Sequence, residues 1–529
     1  MKIENKIKNT PNFKGPLDGI ITQSLITIDT NPMVNAALVD VFAMVIPRTY
    51  VDTKKRNKYA GGETLFRELT GTFIVCLSSG IIAKGIANLY NKVVNPQTKV
   101  NTNSWLTKDS LNLLHHSWNK SENNVEKYVS NVLTNLSGID GKNLSEWKNI
   151  DWTNTRWVDD SKWEKINWQD AKFKNIQHNL KDETQITKTL SEIIENKNID
   201  KNDAQHILNI IDSRITNALK VGNSVDVKLD DKTLNASLKN IIRDTYDLGK
   251  NIFTNKSINT EIALNKLQKM NKVKTLGALA IASTLGLTNQ YINRKITKKR
   301  TGTDNFVGEV NYNNFVGKTP KEKTENKSKK ARFFALKLLT SAGIIALAAA
   351  VMKIRNPKDF IKKLEFTGPV TSGNAIKTVY TATLVGRFMA SKNENELRES
   401  ATRDYLGFLN WLVLGGFAAK GVANMLDKNR TNLFNINKEG KGIRHWLNNL
   451  SIKSHAEIAS KGSEFAKKNI WKVNLAHASG LLYSTLALGF LLPLLNIAVT
   501  NHRHRKAQKE RLKNIQQQPI LTVFKGFKQ

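Results

Sequence analysis

The chain has 529 residues, with 81 Lys+Arg against 45 Asp+Glu and a formal net charge of +36. Apolar residues make up 40% and the mean hydropathy is −0.39, which excludes both a wholly hydrophobic transporter and a disordered polymer. A single cysteine, Cys76, excludes an intramolecular disulfide framework and a zinc site built from several thiolates.

The distribution of charge says more than its total. Residues 95–270 hold 25 basic and 23 acidic side chains and are nearly neutral. The excess lies beside apolar runs instead, at Lys54 to Arg56, Arg294 to Arg300, Lys318 to Arg332 and Arg503 to Lys513. A nucleic-acid-binding protein would concentrate basic residues on a soluble module, so nucleic acid is not an expected partner. Basic clusters at the ends of apolar helices orient membrane proteins and attract anionic lipid head groups.

In chain order, a short apolar segment at 33–47 precedes a longer run at 71–90, GTFIVCLSSGIIAKGIANLY. A weaker run follows at 275–292, then 333–352, a second short segment at 375–390, and long runs at 405–425 and 475–500. The long runs approach the ~20 residues that a spanning helix needs, and their Gly, Ala and Ser content suits close packing in lipid. The short segments span only marginally or lie in the interface. A large soluble helical protein with buried helices is the plainer alternative. The first 30 residues carry no cleavable signal pattern, so an internal helix is expected to direct insertion.

The chain repeats itself. Residues 67–92 align with 403–428 without gaps at an offset of 336, with nine of 26 positions identical and a shared kernel A-K-G-[IV]-A-N. Phe13 to Pro16 matches Phe366 to Pro369, LVDVFAM (38–44) matches LVGRFMA (384–390), STLGL (283–287) matches STLAL (484–488), and Asn293 to Thr297 matches Asn496 to Thr500. Five matches in one order predict a duplication.

The long insertion of the first half shows helical stripes at Ile207, Leu208, Ile211, Ile215 and Leu219, and at Leu234, Leu238, Ile241, Ile242 and Leu248. Asp203 and Thr233 are candidate N-caps. Between the stripes and the first helices, Trp147, Trp152, Trp157, Trp163 and Trp168 recur at a spacing of five or six that fits neither helix nor strand. They form a candidate aromatic surface for sugar rings or a lipid interface, or indoles that pin an irregular segment to the bundle.

No catalytic constellation is present, whether H-E-x-x-H, G-x-G-x-x-G or G-x-S-x-G, and the chain is not expected to be an enzyme. Gly317-Lys318-Thr319 imitates the end of a phosphate loop but lacks its first glycine, where Tyr312 stands. His502 and His504 lie in a basic cluster that repels metal cations, and no metal or cofactor is expected. The candidate functional residues are the duplicated Lys84 and Lys420, with Gly85, Gly421, Asn88 and Asn424. A lysine inside a spanning helix faces a cavity or partner, or snorkels to the head groups, while the small residues suit a helix crossing. Phe-x-Gly recurs at Phe13, Phe306, Phe315, Phe366 and Phe524, as chance or as a docking motif for a protein partner.

These observations predict an all-α, multi-pass helical protein of the cell membrane with two parallel internal repeats and an inserted extracytoplasmic helical domain. Residues 1–94 begin the first repeat, 95–272 form the insertion and 273–300 the third helix. A polar linker (301–331) and a linking apolar helix (332–354) lead to the second repeat (355–500) and a basic tail (501–529). The positive-inside bias puts the tail in the cytoplasm and 95–272 outside, although the outer loop 427–472 carries 10 basic and 4 acidic residues. The expected role is structural, anchoring at the cell envelope. The alternatives are a transporter or pore using the repeated lysines, and a soluble toxin-like protein that inserts later.

Overall fold

The structure is a computed structural model. It describes residues 37–93, 108–137, 170–302, 327–354, 373–436 and 450–516 except for short breaks, together with Leu364 and Gly442. The five Trp of the candidate aromatic surface and every Phe-x-Gly segment lie outside the described residues.

The fold is mostly helical. Helix α1 (40–55) opens with a π-helical segment, and a tight turn leads to α2 (58–93). Asn57 caps α2 by accepting the Ala60 N–H on its side chain at 2.8 Å. The insertion holds α3 (Lys108–Asn119), α4 (Val125–Thr134), α5 (Glu183–Glu195), α6 (Lys201–Ala218) and α7 (238–253). Helix α8 (Thr260–Thr301) runs 42 residues and stops at Gly302, whose φ of 73° provides the left-handed cap. Then come α9 (Lys327–Val351), α10 (Gly373–Ala390), α11 (Glu394–Leu409), α12 (Gly415–Leu426) and α13 (463–516). Three helices are long and apolar enough to cross a membrane among the described residues: Lys58–Tyr90, Lys327–Val351 and Glu464–Arg503.

The insertion departs from an all-helical bundle. Strands β1 (Leu136–Ser137), β2 (Ser224–Leu229) and β3 (Lys232–Ser237) form an antiparallel sheet in that order, with Val227 opposite Leu234. Thr233 is therefore a strand residue, and the second stripe becomes helical only from Leu238. The alternation Val225, Val227, Leu229 against Asp226 and Lys228 is the strand signal. The helix over 201–218 is capped by Asp200, whose Oδ1 accepts the Asn202 and Asp203 N–H groups. Asp203 instead pairs with Lys172 at 2.5 Å. Ile207, Leu208, Ile211, Ile215, Ile241 and Ile242 share one core with Tyr128, Trp118 and Phe253, whose last two rings stack 5.1 Å apart. A further two-stranded sheet pairs β4 (Phe434–Ile436) with β5 (Leu450–Ile452).

The boundary expected at 272 falls inside α8. Leu264, Leu267 and Met270 close the core of the insertion, whereas Ala278, Leu279 and Ala282 pack on α2 and α10. Nor is α10 a surface helix: Ala375, Ile376, Val379, Leu384 and Phe388 are buried, and its principal neighbour is α8. The expected interfacial placement fails because α10 has no continuous exposed apolar stripe. It lies between α8 and α9.

Glycines set the closest crossings. A Cβ on Gly286 of α8 would lie 2.5 Å from Thr383 Oγ1 and 3.3 Å from the Val379 carbonyl of α10. One on Gly489 of α13 would lie 2.5 Å from the Ala43 carbonyl and 2.7 Å from Pro47 of α1. The glycines are 203 positions apart, and their partners 43/379 and 47/383 are 336 apart. Helix α8 thus crosses α10 as α13 crosses α1. Gly277 and Gly480, which face Ile86 and Ala419, keep the same spacing of 203. The STLGL and STLAL segments are two residues off that register and are not equivalent. At Gly386 a Cβ would strike the Leu287 backbone, so Gly386→Leu should cost at least about 1–3 kcal/mol, read as a lower unfolding midpoint in detergent. An unchanged midpoint would mean that the crossing is looser.

Candidate functional site: a buried ionic layer

Helices in apolar surroundings rarely bury charge without pairing it, because desolvating an ion costs several kcal/mol. Here a set of arginines and carboxylates is buried at the ends of the long helices that face away from the insertion. Glu68 of α2 is its centre. The Glu68 carboxylate meets Arg67 at 3.3 Å, Arg387 of α10 at 3.2 Å and Arg48 of α1 at 3.6 Å. Arg387 reaches Asp404 of α11 at 3.2 Å, and Arg403 reaches the same carboxylate at 3.0 Å. Arg48 also donates from Nε to the Leu488 carbonyl of α13 at 3.0 Å. Five helices are thereby tied through a single carboxylate and its arginines. A small cavity beside them, about 10 Å³, is lined by Asp40, Arg48, Glu68, Tyr380 and Arg387 and has room for about one water.

A second cluster lies towards the helix ends. Arg56 pairs with Glu399 at 2.5 Å and with Asp52 at 3.7 Å, and Thr64 donates to Asp52 at 2.6 Å. Arg294 of α8 pairs with Glu396 of α11. Thr500 donates to Glu399 at 3.0 Å, and Thr297 hydrogen-bonds Glu63. These last two contacts again follow the spacings: 63 and 399 are 336 apart, 297 and 500 are 203 apart. Asn393 caps α11 as Asn57 caps α2, also 336 apart.

The residues singled out by sequence lie elsewhere. Lys84 and Asn88 are exposed on α2, and a Cβ on Gly85 or Gly421 would meet nothing within 4 Å. Lys420 lies half-buried, its ammonium 5.6 Å from the Phe417 ring centre, and Asn424 accepts from Arg430 at 2.8 Å. The glycines of the kernel therefore do not pack, contrary to expectation. Its alanines do: Ala83, Ala87, Ala419 and Ala423 are buried, because i and i+4 share a face while the intervening Lys-Gly pair points away. Gly71 and Gly407 do face neighbours, Arg387 at 3.3 Å and Arg48 at 3.8 Å respectively.

Sequence reasoning missed the ionic layer, although Arg67-Glu68 and Arg403-Asp404 head the gapless alignment itself. Among the described residues no group of three or more His, Cys, Asp or Glu could hold a metal ion. In the layer around Glu68 guanidiniums are fixed by carboxylates of neighbouring helices, which ties those helices to one another. Comparison with protein-family models, with curated proteins and with solved structures finds no match to this chain.

Proposed function

We propose that this chain is a multi-pass membrane scaffold that holds the inserted domain on the outer face of a membrane, its two halves being parallel repeats locked by the ionic layer. The observation that carries the reading is where large apolar side chains meet the surroundings. Leu339 is 71% exposed, Leu89 65%, Ile81 59% and Leu482 59%, all on the long helices. Among the residues of the insertion, 108–253, whose side chains are described, no large hydrophobic is exposed. One part has the surface of a water-soluble domain. The other has the surface of a protein in lipid, with its charges inside.

The duplication rests on the recurring spacings of 336 and 203 in caps, glycine crossings and Glu–Thr contacts. Residues 301 and 516 end the helices that carry Arg294 and Thr500 past the ionic layer, away from the insertion. The basic linker and tail then assign the ionic side to the cytoplasm. Recovery of the chain in a detergent-free soluble fraction would overturn the reading.

Topology has a direct test. Cys76 is fully buried, so Lys197→Cys and Glu510→Cys supply the accessible thiols. In intact cells an impermeant maleimide should label position 197 and leave position 510 unlabelled until the membrane is opened. Labelling of both before opening would refute the arrangement.

A further inference from the structure

The two halves differ at one place in a way that points to a ligand. Position 398 in the second half carries Arg398, whose Nη2 donates to Thr500 Oγ1 at 3.2 Å, beside Glu399. Asn496 Nδ2 there donates to the Glu399 carbonyl at 3.3 Å. The counterpart 336 positions earlier is Gly62, where a Cβ would meet nothing within 4 Å. In place of the arginine there is a groove of about 430 Å³ between α2 and α8. Its walls include Lys58, Tyr59, Glu63, Asn293 and Arg300. Asn293 is 1% exposed, yet its Nδ2 has no hydrogen-bond partner, and neither has Glu63 Oε2. A buried donor and a buried acceptor left unmet in the wall of one groove cost more than an apolar wall would, which marks them as made for something else.

We propose that this groove binds the head group of a phosphatidylethanolamine-type lipid, the ammonium taking the place that Arg398 fills in the other half. The acceptor Glu63 Oε2 receives an ammonium N–H, while the phosphate lies against Lys58, Arg300 and the Asn293 donor. A bare cation would be repelled by Lys58 and Arg300, and a bare anion by Glu63. A zwitterion with a short spacer satisfies both. A trimethylammonium has no N–H to give to Glu63, and a glycerol head group has no cation. The source is a lipid rather than a free phosphoethanolamine because exposed apolar side chains lead away from the groove along both helices: Leu69 and Phe73 on α2, Ile292 on α8. They offer a bed for an acyl chain.

The proposal rests on the reading of α2 and α8 as helices in lipid, and the two fail separately. The full-length chain, purified in detergent, is given dioleoyl phosphatidylethanolamine, phosphatidylcholine or phosphatidylglycerol at equal mole fraction, and retained lipid is counted by native mass spectrometry. One phosphatidylethanolamine should be retained with about tenfold preference over each of the others, the size of one charge-assisted contact. Gly62→Arg should abolish the preference while leaving the melting temperature unchanged or raised, since arginine is the better helix former and has room. Lys58→Ala, at an exposed position, should lower retention several-fold and serves if Gly62→Arg does not fold. Equal retention of the three lipids, or full preference in either variant, would overturn the proposal. A soluble chain that still selects phosphatidylethanolamine would sink the membrane reading alone; a membrane-bound chain without selectivity would sink only the groove.

Discussion

Glu68→Leu should lower the stability of the folded chain in detergent by about 3–5 kcal/mol, the cost of leaving buried charge without its partner. Three guanidiniums, those of Arg48, Arg67 and Arg387, lie within 4 Å of this carboxylate, and the side chains of Arg48 and Arg387 are 5% exposed. Leucine of similar size fills the space but repays none of the desolvation. The companion variant Arg387→Met should cost a similar amount, because Asp404 then keeps only Arg403. The double variant should cost less than the sum of the two, since it removes a pair rather than one member of it. Unfolding midpoints of the four proteins in one detergent give the coupling directly. A loss below about 1 kcal/mol for Glu68→Leu would mean that water reaches the carboxylate and that the layer is no lock.

The second large effect belongs to the insertion and depends on pH. Burial pushes the Asp247 carboxyl of α7 up to about 7, against the opposing pull of Arg243, Lys201 and Lys250, and its Oδ2 has no hydrogen-bond partner. In the unfolded chain the same group titrates near 3.8. The folded state therefore holds the proton more tightly between these values. Stability should be greatest below pH 4, fall as pH rises from about 4 to about 7, and level off above. The largest total change from this group is about 4 kcal/mol, taking about 1.4 kcal/mol for each pH unit between the two values. Asp247→Asn should flatten the dependence and stabilise the domain at pH 8. Melting of the full-length chain from pH 4 to 8, with and without the substitution, reads the slope; identical slopes would show that Asp247 is hydrated.

The long apolar runs at 71–90, 333–352 and 475–500 announce their helices because length and composition suffice for that. Helices α1 and α10 look too short for the converse reason. Asp40 and Arg48 interrupt one apolar segment and Arg387 the other, and a charge inside a run reads as the end of it. Only tertiary pairing with Glu68, Asp404 and Thr72 makes those charges compatible with burial, and partners that come from other helices leave no local periodicity. The kernel A-K-G-[IV]-A-N was visible as a recurrence, but not which of its small residues packs. Alanine and glycine are equally compatible with a crossing, and the answer depends on the rotation of the helix. The hairpin of β2 and β3 was obscured because Leu234 stands four residues before Leu238 and extends that helical stripe backwards into a strand.

Helix α8 passes from the core of the insertion to the ionic layer without a break. At about 1.5 Å per residue its 42 residues make a rod of about 63 Å. A rod with an uninterrupted hydrogen-bond ladder has no joint at which the inserted domain can swivel on this connection. Force or torque applied to that domain would be delivered at the far end, where Arg294 grips Glu396 and Gly286 lies against Thr383. The insertion is thus mounted on a lever whose short arm ends among the charges of the buried ionic layer.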